Sequence, residues 1–302
     1  MDYRGLGRRA ARSALVDAVL AQDERLVVRI VAERPDIVDA RNSHGHTALS
    51  EAVKIGNLAL VQQLVDAGAD PKQYNHGGSS LIDAAAHCGS SEIAEFLRER
   101  GCVVTPFHEA ALGYCEAIGQ RIKDQPSVVN QKSPRSASLL HHAAHGNHLS
   151  VCELLVSSGA SVEAFDHHGH TPLCYAVERN SVDCARVLIR EGANIDQPAG
   201  YFGGTVLHRA IMLRLVDMSI LLLESGSDPN LQDFSGKSAL HTSVASGKID
   251  VVRAVLQSQI DTNLRTKKTK LQKGNETALD YARRLNKKRI INLLEERLST
   301  TP

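Results

Sequence analysis

A short motif recurs along this 302-residue chain at a nearly constant spacing. Its clearest copies are GHTALSEAV (45–53), GHTPLCYAV (169–177), GGTVLHRAI (203–211) and GKSALHTSV (236–244). All copies, including looser ones, align on an opening Thr or Ser: Ser13, Thr47, Ser80, Thr105, Ser138, Thr171, Thr205, Ser238 and Thr277. The successive spacings are 34, 33, 25, 33, 33, 34, 33 and 39 residues. This period predicts stacked repeats, because one such unit is too small to bury its apolar faces alone.

Each repeat carries the signals of two helices. The opening Thr or Ser is a good N-cap, and apolar residues follow at helical spacing, as in Leu173, Ala176 and Val177. A second apolar run, such as VCELLVSSGASV (151–162), reaches a Gly where a helix C-terminus is expected. These glycines are Gly68, Gly101, Gly159, Gly192 and Gly226. Each repeat is therefore predicted to be two antiparallel helices and a turn.

With these motifs the chain resembles the ankyrin-repeat family, whose signature is T-P-L-H-x-A at a period of 33. The resemblance implies an all-α solenoid of stacked helix-turn-helix units with β-turn fingers, one domain over residues 1–302. Its nine repeats are placed at about 8–41, 42–74, 75–103, 104–132, 133–165, 166–199, 200–232, 233–265 and 272–298. The 25-residue step predicts a missing or very short finger before Thr105. The 39-residue step predicts a long basic finger at 266–274.

Composition narrows the function classes. The net charge of +1 argues against a uniformly basic nucleic-acid binder. No apolar run is long enough for a membrane span, and no CxxC motif occurs. The six scattered cysteines are expected to be reduced, buried thiols in a cytoplasmic protein, with nuclear or host-cell delivery left open. The protein is expected to be monomeric and to need no cofactor.

The resemblance assigns most repeat histidines to the framework. In this family the His of the motif ties the turn and helix start of neighbouring repeats together. That role falls to His108, His141, His208 and His241. His148 fills a common position between the two helices. The dense stretch LLHHAAHGNH (139–148) is thus interpreted mainly as a repeat signature rather than a metal motif.

Partner contacts in this family come from the turn before the Thr and from the end of the first helix. Repeats seven and eight place large apolar residues there, and such residues are enriched at interface cores. The predicted apolar anchors are Tyr201, Phe202, Met212, Leu213 and Phe234. The predicted polar rim is His145, His167, His168, His170, Glu178 and Arg179. The alternative is that Phe202 and Phe234 only pack on neighbouring turns.

A basic cluster near the C-terminus gives a second hypothesis. Residues 264–289 contain ten basic and two acidic residues. This asymmetry could serve an acidic protein, a nucleic acid or a lipid headgroup, and nucleic acid is disfavoured because aromatic residues are not interleaved. The candidate residues are Arg265, Lys267, Lys268, Lys270 and Lys273. The alternative is a solvated end cap, which terminal repeats need.

A metal-dependent enzyme is the third hypothesis. It would require His145 to lie near His167, His168 or His170, with a shielded pocket around them. No P-loop, GxGxxG, GxSxG or HExxH motif is present. The sequence therefore favours a non-enzymatic scaffold, adaptor or inhibitor that binds another protein through a rigid, preordered surface.

Overall fold

The computed structural model describes residues 3–74, 78–198, 203–268 and 274–300. The chain divides into two compact units, Met1–Leu112 and Gly113–Pro302. Within the described residues, helices alternate with short turns, as the resemblance implies. The single solenoid over residues 1–302 stays a prediction.

The first unit is a stack of helical hairpins. First helices contact one another in chain order, and so do second helices. Short polar turns separate the helices of a pair, which keeps them antiparallel. The helices are α1 Arg8–Leu20, α2 Glu24–Glu33, α3 Ala48–Ile55, α4 Leu58–Asp66, α5 Leu81–Cys88, α6 Ser91–Glu99 and α7 Pro106–Leu112.

The second unit repeats the same arrangement, with two rows of helices in which neighbours in each row are in contact. The helices are α8 Cys115–Asp124, α9 Leu139–Gly146, α10 Leu149–Ser157, α11 Pro172–Glu178, α12 Val182–Arg190, α13 Val206–Met212, α14 Val216–Glu224, α15 Ala239–Ser246, α16 Ile249–Gln257, α17 Ala278–Arg284 and α18 Lys288–Thr300. One row holds α9, α11, α13, α15 and α17, and the other holds the helices between and beside them.

The opening Thr or Ser caps the first helix of most repeats. Thr47 and Ser80 accept the backbone N–H three residues on, and the side chain at that third position bonds back to the cap. The first repeat differs, and Ser13 is a wrong assignment. It lies inside α1, which begins at Arg8 with Gly7 before it. The Ala- and Arg-rich stretch has high helix propensity, so the helix extends backwards past Ser13.

The second helices end as predicted in five repeats. The glycines that follow them adopt φ between 82° and 98°, a left-handed conformation: Gly68, Gly101, Gly159, Gly192 and Gly226. Two repeats that lack this Gly continue instead into 3₁₀ turns, Pro35–Ile37 and Pro126–Asn130. Proline supplies the fixed φ that such a turn needs.

Among the described residues, three fingers are closed at their base by isolated antiparallel bridges, such as Lys132 with Ser138. Only six residues separate α6 from α7, so the finger of repeat four is absent, as the 25-residue step predicts. At the 39-residue step, the backbone N–H of Thr266 donates to Glu276 and its carbonyl accepts from Asn275. These two bonds form the base of the long finger, whose residues 269–273 lie outside the described part of the chain.

The core is built from small aliphatic side chains on the facing sides of the helices. Leu49, Leu139, Leu173, Leu207 and Leu240, which each follow their repeat's opening Thr or Ser by two residues or fewer, are almost fully buried. Alanines at the helix contacts allow the close approach that a stacked repeat requires. The low aromatic content of the sequence therefore fits its packing.

Candidate protein-binding surface

The repeat histidine joins neighbouring repeats in the second unit. His141 Nδ1 accepts the backbone N–H of Ser138 at 3.0 Å, and its Nε2 donates to the carbonyl of His170 in the next repeat at 3.0 Å. Two later repeats form the same pair of bonds: Thr205–His208–Lys237 and Ser238–His241–Glu276. Burial lowers the pKa of His141, against the effect of the carbonyl bond, so the imidazole is held neutral. His141, His208 and His241 therefore have the contacts that the predicted framework role requires.

His108 also bridges two repeats, but in the opposite direction. Its Nε2 bonds Asp83 Oδ1 of the preceding repeat at 2.8 Å. Asp83 occupies the histidine position of its own motif and also accepts the backbone N–H of Ser80. Burial raises the pKa of Asp83, but the bonds from His108 and Ser80 outweigh it and lower the pKa to about 2. The contact partner of this histidine was not predictable from the motif alone.

The C-terminal end of α13 exposes two large apolar side chains. Met212 is 51% exposed and Leu213 is 38% exposed, whereas Ile211 beside them is fully buried. The helix faces explain this, because residues one and two positions beyond a buried one rotate away from the core. The structure therefore places both predicted anchors on the surface.

The finger of repeat eight exposes a third apolar side chain. Phe234 is 73% exposed, yet one part of its ring lies against Gly203 of the preceding finger. A Cβ at Gly203 would lie 2.3 Å from Phe234 Cε1, so this glycine makes room for the ring. Phe234 therefore packs on the neighbouring finger and is also exposed to solvent. Tyr201 and Phe202 lie outside the described residues.

The ring of Tyr175 lies near histidines of both repeat five and repeat six. The ring centroid of Tyr175 lies 6.1 Å from that of His145 and 6.5 Å from that of His170. Its hydroxyl donates to the buried Asp166 at 2.9 Å. Burial and this carboxylate raise the pKa of Tyr175. His145 is therefore in an aromatic cluster with Tyr175 rather than in a set of metal ligands.

His167 and His168 form an exposed pair on the finger of repeat six. Their ring centroids are 3.7 Å apart, and His167 bonds the carbonyl of Arg135 through both its backbone N–H and its ring. Among the described residues, no group of three or more His, Cys, Asp or Glu side chains is arranged to hold a metal ion. Both residues are exposed, and the metal hypothesis gains no support from them.

Glu178 forms an ion pair within the protein. Its Oε1 lies 3.0 Å from Nη2 of Arg209 on the neighbouring helix α13. Arg179, the next residue, is exposed. The predicted polar rim thus includes a carboxylate that already has a cationic partner one repeat away.

The basic cluster is partly neutralised by acidic side chains. Arg265 lies 3.9 Å from Asp280, and Arg284 lies 2.7 Å from Glu276. Arg283 pairs with a glutamate on α18. Lys267 and Lys268 are exposed, whereas Lys270 and Lys273 lie outside the described residues. The polyanion hypothesis stays a prediction. Among the described residues 265–268, Lys267 and Lys268 are the exposed lysines that it can use.

The missing finger leaves a feature that the repeat motif did not predict. A cavity of about 390 Å³ lies in the first unit beside the finger of repeat three. Tyr74, 60% exposed, and Val103, 78% exposed, both line it. The 25-residue spacing could have indicated this cavity, because the absence of the finger of repeat four leaves the finger of repeat three uncovered.

The thiols are only partly buried, contrary to the expectation. Cys88 is exposed, and Cys102 and Cys115 are intermediate, because all three lie at helix ends or turns. Cys152 and Cys184 are buried, with their Sγ atoms 3.4 Å apart on neighbouring helices α10 and α12. All six cysteines are free thiols. In the part of the chain that the structure describes, no helix has the length and apolar character to cross a bilayer.

Comparison with known proteins gives a consistent family match. The profile of the family described as ankyrin repeats (3 copies) matches residues 15–108, 107–199, 140–233 and 207–299. The nuclear factor NF-kappa-B p105 subunit of Gallus gallus is 27% identical over 224 residues, which cover 72% of this chain and 20% of that protein. The B-cell lymphoma 3 protein homolog of Mus musculus is 26% identical, covering 72% and 44%. The chain thus spans less than half the length of these relatives.

A solved structure shares the fold. It is the Bd0816 predatory endopeptidase from Bdellovibrio bacteriovorus in complex with the immunity protein Bd3460, one chain of which superposes with a TM-score of 0.56 at 23% identity. The match covers 64% of this chain and 98% of that one. At this level of identity the comparison establishes the repeat architecture.

Proposed function

The chain belongs to the ankyrin-repeat family, and we propose that it is a non-enzymatic module that binds a partner protein. The partner would be held by the first-helix ends and fingers of repeats five to eight in the second unit. In this role the protein is a scaffold, an adaptor or an inhibitor, acting in the cytoplasm as a monomer without a cofactor.

The exposed apolar residues of repeats seven and eight carry this proposal. Met212, Leu213 and Phe234 are exposed at the end of a first helix and on a finger, whereas most positions of the motifs 203–211 and 236–244 in the same repeats are buried. Neighbouring exposed apolar side chains such as Met212 and Leu213 favour an interaction site, and methionine and phenylalanine are enriched at interface cores. The predicted rim residues His167 and Arg179 lie on repeat six of the same unit and are also exposed.

The framework contacts explain how such a surface would bind. The histidine bonds between repeats fix the finger of one repeat to the helix start of the previous one. Side chains on these elements are then held in place before the partner arrives. Binding loses less conformational entropy when the surface is preordered. The endopeptidase–immunity protein complex is a solved example in which a protein of this fold occurs together with a partner protein.

The test is affinity capture with a matched pair of variants. The triple variant Met212→Ala, Leu213→Ala, Phe234→Ala removes the three anchors from the full chain. The control variant Val28→Ala, Leu149→Ala removes exposed apolar side chains from second helices. Proteins retained by the wild-type chain are identified by mass spectrometry, and circular dichroism checks that each variant is folded.

We expect the triple variant to lose the main captured protein and the control variant to retain it. Truncating a central interface anchor costs about 1–3 kcal/mol, which lowers affinity by roughly 5- to 140-fold. Equal capture by the wild-type chain and the triple variant would show that this surface is not the binding site.

A further inference from the structure

The fingers of repeats seven to nine carry an exposed aromatic ring and two exposed lysines on backbone segments that contact one another. We define the fingertip surface as Gly203, Phe234, Ser235, Lys267 and Lys268. Phe234 rests on Gly203, and the carbonyl of the next residue, Ser235, accepts the backbone N–H of Lys267 at 2.8 Å. One continuous set of contacts therefore runs from finger seven to finger nine.

The aromatic ring is held in position although most of it faces solvent. Its edge occupies the space that a Cβ would fill at Gly203. Asp233, just before it, accepts the backbone N–H of Ser235 at 2.8 Å and of Lys237 at 2.9 Å, which fixes the turn. A partner side chain would therefore meet a preformed apolar anchor, and little ordering of the finger would be required.

The backbone that carries the two lysines is held against the eighth finger. Gly236 packs directly on the ninth finger, since a Cβ there would lie 2.5 Å from the backbone nitrogen of Lys267. Gln232 donates to the carbonyl of Arg265 at 3.1 Å. These contacts anchor the backbone that carries Lys267 and Lys268, while both side chains remain exposed.

Nearby carboxylates are occupied within the fold. Asp233 is used by its own turn, Glu276 pairs with Arg284, and Asp280 pairs with Arg265 and caps α17. Among the described residues, the ammonium groups of the two fingertip lysines have no carboxylate partner. The fingertip surface therefore combines an apolar anchor with two exposed lysines whose ammonium groups form no ion pair among the described residues.

We propose that the fingertip surface recognises an acidic protein segment that carries a large apolar side chain. This proposal rests on the proposed function and specifies the chemistry of the partner. The apolar side chain packs against Phe234, and carboxylates flanking it in the partner face Lys267 and Lys268. Rim charges of this kind raise the association rate and reject basic partners, while the apolar contact sets much of the affinity.

The test uses random dodecapeptides displayed on phage and selected against the full chain. Selection is repeated with the variant Lys267→Glu, Lys268→Glu. The control is Arg186→Glu, Arg253→Glu, which makes the same change of net charge on exposed positions of the second helices α12 and α16. The most enriched peptide is then synthesised, and its dissociation constant is measured by fluorescence anisotropy at two salt concentrations.

We expect enrichment of peptides that combine Asp or Glu with Phe, Leu, Trp or Met. Charge reversal at the fingertip should weaken the best peptide about 10-fold, and raised salt should weaken it as well. Phe234→Ala should weaken it by a similar factor. The control variant should bind within about 2-fold of wild type, because its charges lie away from the finger.

Enrichment of neutral or basic peptides, or of none, overturns the proposal. So does acidic-peptide binding that survives both the charge reversal and Phe234→Ala. Equal competition by a 20-nucleotide single-stranded DNA would assign the surface to nucleic acid instead. These outcomes are distinguishable from failure of the proposed function, which is judged by partner capture with the Met212, Leu213 and Phe234 triple variant.

Discussion

The contact between repeats five and six can be broken at one residue, because His141 connects both. Its ring is fully buried and accepts the Ser138 backbone N–H while donating to the His170 carbonyl. His141→Ala removes both hydrogen bonds, but only one of the two partner groups is left without another bond. The His170 carbonyl still accepts the backbone N–H of Asp166 at 3.0 Å, whereas the Ser138 N–H loses its acceptor.

The expected loss of stability follows from that difference. A buried donor left unsatisfied costs about 1–3 kcal/mol. The emptied volume of the ring, which lies 5.0 Å from the ring of Tyr175, adds on the order of 1–2 kcal/mol. His141→Ala should therefore lower the free energy of unfolding by about 2–5 kcal/mol, since both effects act on buried groups.

His141→Asn is the matched control variant. Elsewhere in this chain, Asp83 and Asp280 occupy the same motif position and accept the N–H of their own cap residue. An asparagine can keep that bond but cannot reach the next repeat. We expect it to cost about 1–2 kcal/mol, because only the contact between repeats and part of the packing are lost.

Urea denaturation followed by circular dichroism measures the change in stability. Amide hydrogen exchange at Ser138 reports whether the loss is local to this repeat pair. A destabilisation below about 0.5 kcal/mol for His141→Ala would be within the range of ordinary surface changes. That result, or equal destabilisation by the two variants, would refute the assignment of His141 as a buried link between repeats.

Three further predictions follow from described contacts. Gly203→Ala should displace Phe234 and cost about 1–2 kcal/mol, because φ is +64° and the new Cβ would meet the ring; thermal unfolding and peptide affinity measure both effects. Below about pH 6.5, acidification should lower the melting temperature. Burial lowers the pKa of His141, His208 and His241 in the folded protein, so the same histidines take up protons at a higher pH, near 6.5, in the unfolded chain. A melting temperature that is unchanged from pH 7.5 to pH 5 would contradict this. Glu178→Gln should cost only about 0.2–1 kcal/mol in urea denaturation, because its pair with Arg209 is half exposed.

Local features of the fold were predictable because local chemistry determines them. The opening Thr47 and the closing Gly68 act through hydrogen bonds and backbone conformation within a few residues. The regular spacing then defines which helices are neighbours. Ser13 shows the limit, because a helix-favouring stretch can extend a helix past a good capping residue.

Contacts between repeats were harder to predict, because spacing does not say which side chains meet. The motif gave no sign that Glu178 pairs with Arg209 or that the ring of Tyr175 lies near those of His145 and His170. Both depend on side-chain directions across the stack. The sequence therefore predicted where the candidate surface lies, but not which of its side chains contact one another.

The exposed residues beside the missing finger show a related limit. The 25-residue step predicted the absence correctly, but not the cavity lined by Tyr74 and Val103. A deletion removes the neighbour that normally covers a finger, so its consequence appears on residues outside the deleted segment. An irregular repeat spacing therefore indicates where surface residues are exposed, as well as where a turn is absent.

The most direct test of the proposed binding surface is a hydrogen–deuterium exchange footprint of the full chain with its captured partner. We predict reduced exchange at the C-terminal end of α13 and in the finger that carries Phe234, with α12 and α14 unchanged. Protection confined to those second helices, with none at Met212, Leu213 or Phe234, would contradict the proposed binding surface.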